Sequence, residues 1–115
     1  MAQRFSLILA STLAMAALSA AAQGPAAPAA FVQRDKGNCV ACHQLPEGVS
    51  PASRADLGPR LTGARMRELG RAKLRELLQD PTRANPNTLM PPFGRHRILE
   101  PAEIDRLVEY LHALP

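Results

Sequence analysis

Cys39-Val40-Ala41-Cys42-His43 reads C-x-x-C-H, the local pattern for covalent attachment of a c-type haem. The spacing follows from the chemistry. Each thiol adds to one vinyl group of the porphyrin, so the two sulfurs must lie three positions apart on a single turn. The histidine directly after the second thiol then falls under the iron, where its imidazole can serve as an axial ligand. Five residues can match by coincidence, so the rest of the chain has to supply what a haem there would require.

The chain has 115 residues, enough for one domain. Residues 1–22 have the layout of a secretory signal peptide: Arg4 carries the only charge, Phe5 to Ala22 is almost wholly apolar or small, and Ala20-Ala21-Ala22 offers a cleavage site. A stretch of this length approaches a membrane span, but it is short and Ala-rich for an anchor. The expected organisation is therefore a signal peptide over 1–22, a flexible mature N-terminus over 23–30 and one domain over 31–115, exported to the periplasm. The formal net charge is +4. Removal of Arg4 with the leader and addition of two haem propionates would bring it close to neutral. No aromatic platforms are interleaved with the basic residues, so no nucleic-acid partner is expected. Past the leader the aromatics are only Phe31, Phe93 and Tyr110. A core this poor in aromatic mass, in a domain this small, calls for a staple such as a large bound group. A Cys39–Cys42 disulfide would close too short a loop to stabilise the fold strongly.

The periodicity reads as all-α. A first helix is expected from Ala29 to about Val40, carrying the motif at its C-terminal end, with Gly37 marking a close backbone approach or a turn. Residues 44–62 hold Pro46, Gly48, Pro51, Gly58 and Pro59 without apolar period, and read as a long loop wrapped around something functional. Thr62 to Gln79 is helical, with Leu69, Leu74, Leu77 and Leu78 on one side and a break at Gly70. Asp80-Pro81 starts a fresh helix of about one turn, Asp as cap and Pro at the first position. Asn85 to Gly94 is a Pro-braced loop. Pro101 opens the clearest helix, with Ile104, Leu107, Val108 and Leu111 at i, i+3, i+4 and i+7.

A His-ligated c-type iron normally takes a second axial ligand, most often a Met thioether or another His. Met66, Met90, His96 and His112 are available. Met90 is preferred, because its loop lies far from the motif in sequence and its prolines lower the entropy of ordering it. Met66 reads as a core filler, and His96 and His112 as surface or half-exposed groups. A metal-bound histidine usually donates its free ring N–H to a carbonyl or carboxylate. The Gly58-Pro59 loop offers the Pro59 carbonyl for that purpose. Two non-haem readings compete. A thiol–disulfide pair would want a βαβ context that is absent, and adjacent Cys42 and His43 make poor geometry for a tetrahedral zinc.

Taken together, Gly37, the Cys39–His43 motif, Gly58-Pro59-Arg60-Leu61, Met90-Pro91 and Tyr110-Leu111 resemble the class I cytochromes c. Lys36-Gly37-Asn38-Cys39, Asp80-Pro81 and Asn85 to Arg95 resemble, more narrowly, the SoxX family, the small monohaem subunits of SoxAX complexes in thiosulfate oxidation. The likeness covers Asp35 to Leu114. It implies a few short helices wrapped around one covalent haem c, with first and last helices crossing and Gly37 packed on Tyr110. It also implies Cys39 and Cys42 as the thioethers, His43 and Met90 as the axial ligands, and Gly58 and Pro59 as support for His43. The implied partners are a SoxA-like cytochrome subunit, a SoxYZ-like carrier protein reached through the complex, and a downstream electron acceptor such as another cytochrome. In that setting the complex is an L-cysteine S-thiosulfotransferase and this chain its electron-transfer subunit, with no catalytic residue. A free-standing carrier between respiratory complexes is the alternative. Arg60 and Leu69-Gly70 depart from the pattern, which bears on partner contacts rather than on the haem ligands.

Overall fold

The computed structural model describes residues 25–115. The expected signal peptide, residues 1–22, lies outside the described residues. Three α-helices and two short 3₁₀ turns make up the regular structure, and no strand occurs among the described residues.

The last helix, α3 (Pro101–His112), forms as its periodicity dictates, with Ile104, Leu107, Val108 and Leu111 all buried. Pro101 sits at its start, where the missing N–H costs nothing. The Glu103 carboxylate turns back to accept the Glu100 N–H at 2.8 Å, one half of a capping box. The same carboxylate accepts Lys36 Nζ at 3.3 Å, which ties the segment ahead of the motif to α3. The Glu100 N–H first, and then Lys36, hold the Glu103 carboxyl below its ordinary range.

Helix α2 (Gly63–Gln79) is capped by the Thr62 hydroxyl, which accepts the Arg65 N–H at 3.3 Å. It breaks at Gly70, whose φ of 77° lies in the left-handed region that side chains avoid. The break shifts the phase of the buried face. Met66 is covered before it and Leu74 and Leu78 after it, while Leu69 and Leu77 fall at the margin. Met66 is thus the core filler expected. Across the α2–α3 seam Arg71 forks onto Glu109 at 2.8 and 3.0 Å, and Arg75 pairs with Asp105. Exposed pairs of this kind contribute only about 0–1 kcal/mol each, so the apolar cluster carries the packing.

The first helix is shorter than the sequence suggested. Helix α1 covers Ala29–Val32 and does not reach Val40. The Ala30 carbonyl, which the next helical turn would need, accepts the Gly37 N–H instead at 2.9 Å. The chain then passes through Asn38 in the left-handed conformation (φ 44°) into a 3₁₀ turn, Cys39–Ala41. At its other end α1 takes in Ala29 and a buried Ala30. Phe31, fully buried, meets Tyr110 edge-on with ring centroids 5.0 Å apart, which brings first and last helices together as expected. The atoms nearest a Cβ at Gly37 are Ala30 O at 2.5 Å and Cys39 Sγ at 3.2 Å, so its close approach is to α1 and the motif, while Tyr110 packs on Phe31.

Residues 44–62 and 85–94 contain no helix, in keeping with the two expected loops, and Pro81–Arg83 forms a 3₁₀ turn capped by Asp80. Among the described residues no helix is long and apolar enough to cross a membrane.

Candidate functional site

The motif is wound into one tight turn. Asn38 O accepts the Ala41 N–H at 3.0 Å, and Cys39 O accepts those of Cys42 and His43 at 3.2 and 2.9 Å. Both cysteines are free thiols and half-buried. The following loop runs back alongside. Gly58 N donates to Cys42 O at 2.8 Å and Leu61 N to Gln44 O at 2.9 Å. Ser53 Oγ donates to Val40 O at 2.7 Å and also accepts the Ala55 N–H at 3.2 Å. The loop is therefore fastened to the motif at three places.

Those ties fix His43. Its Nδ1 lies 2.7 Å from Pro59 O. A carbonyl can only accept, so Nδ1 is the donor, and in the neutral ring Nε2 then carries the lone pair. This is the tautomer an Nε2 metal ligand needs, and the arrangement is the usual outer support of such a histidine. The ring lies close against Gly58 on its Cε1 side, where a Cβ would come within 2.7 Å of Nδ1 and 3.0 Å of Nε2. The sequence pointed to the Pro59 carbonyl. That Gly58 must lack a side chain to make room for the ring is visible only in space.

Burial pushes the Cys39 thiol up to about 12, its own backbone hydrogen bonding opposing and the neighbouring Cys42 adding to the rise. A thiol held in that state is a poor thiolate nucleophile. Tyr110 is likewise raised, by burial first and then by Cys39. Its hydroxyl is the one buried side-chain polar atom without a hydrogen-bond partner among the described residues. An orphan of this sort costs about 1–3 kcal/mol. A group with polar edges seated beside the phenol would relieve it.

Met90 is half-buried, packed on the edge of the core, and its N–H is held by Thr88 Oγ1 at 3.1 Å. It belongs to a different loop from the His43 assembly, and no hydrogen bond joins the two among the described residues. His96 is exposed. His112 is half-buried and takes a 3.2 Å hydrogen bond from Arg71 at Nε2. Among the described residues no three His, Cys, Asp or Glu side chains converge on one point, so a tetrahedral zinc has too few ligands here.

A comparison with protein families matches residues 23–111 to the family described as cytochrome C oxidase, cbb3-type, subunit III. The chain belongs to this cytochrome c family. It is accordingly an all-α cytochrome c domain that binds haem and transfers electrons, and the thiol-redox and zinc readings fall away. No curated protein matches the chain significantly. The residues present suit a haem c on three counts. The domain offers two thiols one turn apart, an imidazole whose Nδ1 is engaged by Pro59 O so that Nε2 can face a metal, and a buried phenol in want of a partner.

Proposed function

We propose that this cytochrome c domain is a periplasmic, exported electron-transfer protein that carries one covalent haem c. Cys39 and Cys42 supply the thioethers, His43 and Met90 the axial ligands, and Gly58 and Pro59 the seat of His43. The observation that carries the reading is the His43 Nδ1 to Pro59 O contact at 2.7 Å, which leaves Nε2 as a lone-pair donor one residue beyond the second thiol. When bound, haem supplies a one-electron iron couple. The chain's own residues orient the imidazole, fix its tautomer and exclude water from the phenol side. With both cysteines engaged no thiol remains for sulfur chemistry, so the role is relay rather than catalysis.

Within that role we favour a SoxX-like subunit. Lys36 to Cys39, Asp80-Pro81 and the loop from Asn85 to Arg95 support it by resemblance. In a SoxAX complex, coupling of a carrier-protein thiol to thiosulfate forms one S–S bond and releases one proton and two electrons. The electrons would leave through this domain singly. The family description favours a second reading, a carrier that serves respiratory complexes. Co-expression with a SoxA-like cytochrome separates the two. A stable heterodimer on gel filtration is expected, and a chain that elutes as a monomer beside that partner would defeat the subunit reading. For the ligand, Met90→Ala is expected to abolish the near-red thioether-to-ferric-iron band. Loss of that band in Met66→Ala, or a spin-state change in His96→Ala, would overturn the assignment.

A further inference from the structure

Asp80 is the only charged side chain that is buried among the described residues. Its Oδ1 accepts the Thr82 N–H at 3.2 Å and the Thr82 hydroxyl at 2.5 Å, and its Oδ2 accepts Arg95 Nη1 at 3.1 Å. Arg95 Nη1 donates as well to Thr82 Oγ1 at 3.2 Å. A cap for one 3₁₀ turn needs only the first of these bonds. The remainder link residues 80–82 to residue 95, across the base of the loop that carries Met90.

Backbone pairs run beside this cluster. Gly94 N donates to Leu78 O at 3.3 Å and Arg95 N to Gln79 O at 2.9 Å. Inside the loop the bonds are local turns: Thr88 N to Asn85 O at 3.1 Å, Asn87 N to Asn85 Oδ1 at 3.1 Å, and Met90 N to Thr88 Oγ1 at 3.1 Å. Leu89, at the tip, is 78% exposed. Among the described residues, then, every hydrogen bond that fastens the loop to the rest of the molecule is at its base.

We propose that Asp80, Thr82 and Arg95 form a clasp whose integrity sets how often Met90 swings away from the iron. The three are positioning residues, and the inference rests on the reading of Met90 as axial ligand. Once the base opens, only apolar contacts hold the loop, Phe93 in the core and Met90 at its edge, because nothing polar holds its tip. The Thr82 hydroxyl first, and then Arg95, keep the Asp80 carboxyl below its ordinary range against the opposing effect of burial. The clasp is therefore charged at neutral pH.

Exogenous imidazole reaches the iron only in the conformer from which Met90 has withdrawn, so its apparent affinity scales with the population of that conformer. Asp80→Asn keeps an oxygen for the Thr82 bonds but turns an amide N–H₂ towards Arg95, and Arg95→Gln removes the cation. Each variant of the ferric holoprotein is expected to bind imidazole about three- to tenfold tighter, the effect of losing one hydrogen bond to a guanidinium that is more than half exposed and screened by solvent. The double variant should show little more than either single one, since both break the same link. Arg95→Lys should restore much of the wild-type affinity. Hydrogen exchange at the Gly94 and Arg95 N–H groups, which cross the base, should quicken in parallel. Ile104→Val, which trims the core on α3 and leaves the Asp80–Thr82–Arg95 bonds in place, should lower the melting midpoint without the three- to tenfold gain in imidazole affinity. The proposal is overturned if Asp80→Asn and Arg95→Gln bind imidazole as wild type does while Met90→Ala binds it far more tightly. In that event the ligand assignment stands. If Met90→Ala itself changes neither affinity nor the near-red band, the assignment fails and the clasp with it.

Discussion

Replacement of both thiols, Cys39→Ala with Cys42→Ala, is expected to give a chain that releases its haem on denaturation and no longer melts cooperatively near 37 °C. The size of the effect follows from the core. Its large aromatics are Phe31, Phe93 and Tyr110, and the remainder is mostly leucine. A core near this size supplies only roughly 3–5 kcal/mol, and a lasting haem adds apolar mass and a cross-link that the polypeptide lacks. The orphaned Tyr110 hydroxyl adds to the deficit when nothing sits beside it. Haem staining after denaturing electrophoresis reads the covalent bond, and far-ultraviolet circular dichroism on heating reads the fold. Single variants should each retain one thioether and melt between the two extremes. A double variant that keeps its stain, or melts with the wild type, would show that these cysteines are not the attachment points.

The second large effect is steric. Gly58→Val places a branched side chain where the His43 ring now lies, since even a Cβ there would come within 2.7 Å of Nδ1. The ring cannot retreat without giving up Pro59 O, its partner at 2.7 Å. Overpacking of this kind costs roughly 1–3 kcal/mol, and loss of the outer support weakens a metal ligand about 10–100-fold. The ferric protein is expected to lose its low-spin spectrum. Pro59→Ala makes the control, because the acceptor is a backbone carbonyl that any residue provides, and its spectrum should stay close to wild type. A low-spin Gly58→Val protein would mean that the imidazole does not depend on this seat.

The parts of this architecture that were legible in the sequence are those encoded by nearby residues. The stripe from Ile104 to Leu111 needed only its own periodicity, and the Gly70 break and the Asp80-Pro81 start needed only local backbone preferences. The Cys39–His43 turn also follows short-range rules, whereas the Pro59 carbonyl, sixteen positions from His43, was anticipated from the chemistry of a metal-bound histidine rather than from local sequence. What escaped was set by contacts distant in sequence or by competition for one group. The first helix stops at Val32 because Gly37 takes the Ala30 carbonyl, and no propensity reports which donor wins. Asp80 was readable as a cap, but its bond to Arg95 spans fifteen positions and becomes visible only when the chain is folded. Tyr110 could be matched to a position, yet its unpartnered hydroxyl is a property of its surroundings.

The closed base of the 85–94 loop bears on how such a domain can diversify. Because Leu78 to Asp80 and Gly94-Arg95 lie side by side, the loop leaves and rejoins the body at nearly the same point. A segment with adjacent ends can be lengthened or exchanged at small entropic cost, while the body keeps its shape. The stretch from Gly37 to Leu61, with its own internal ties, holds His43 independently of that segment. On the proposed ligand set the two loops are thus separable cassettes, so the surroundings of Met90 can be varied without disturbing the turn that holds His43.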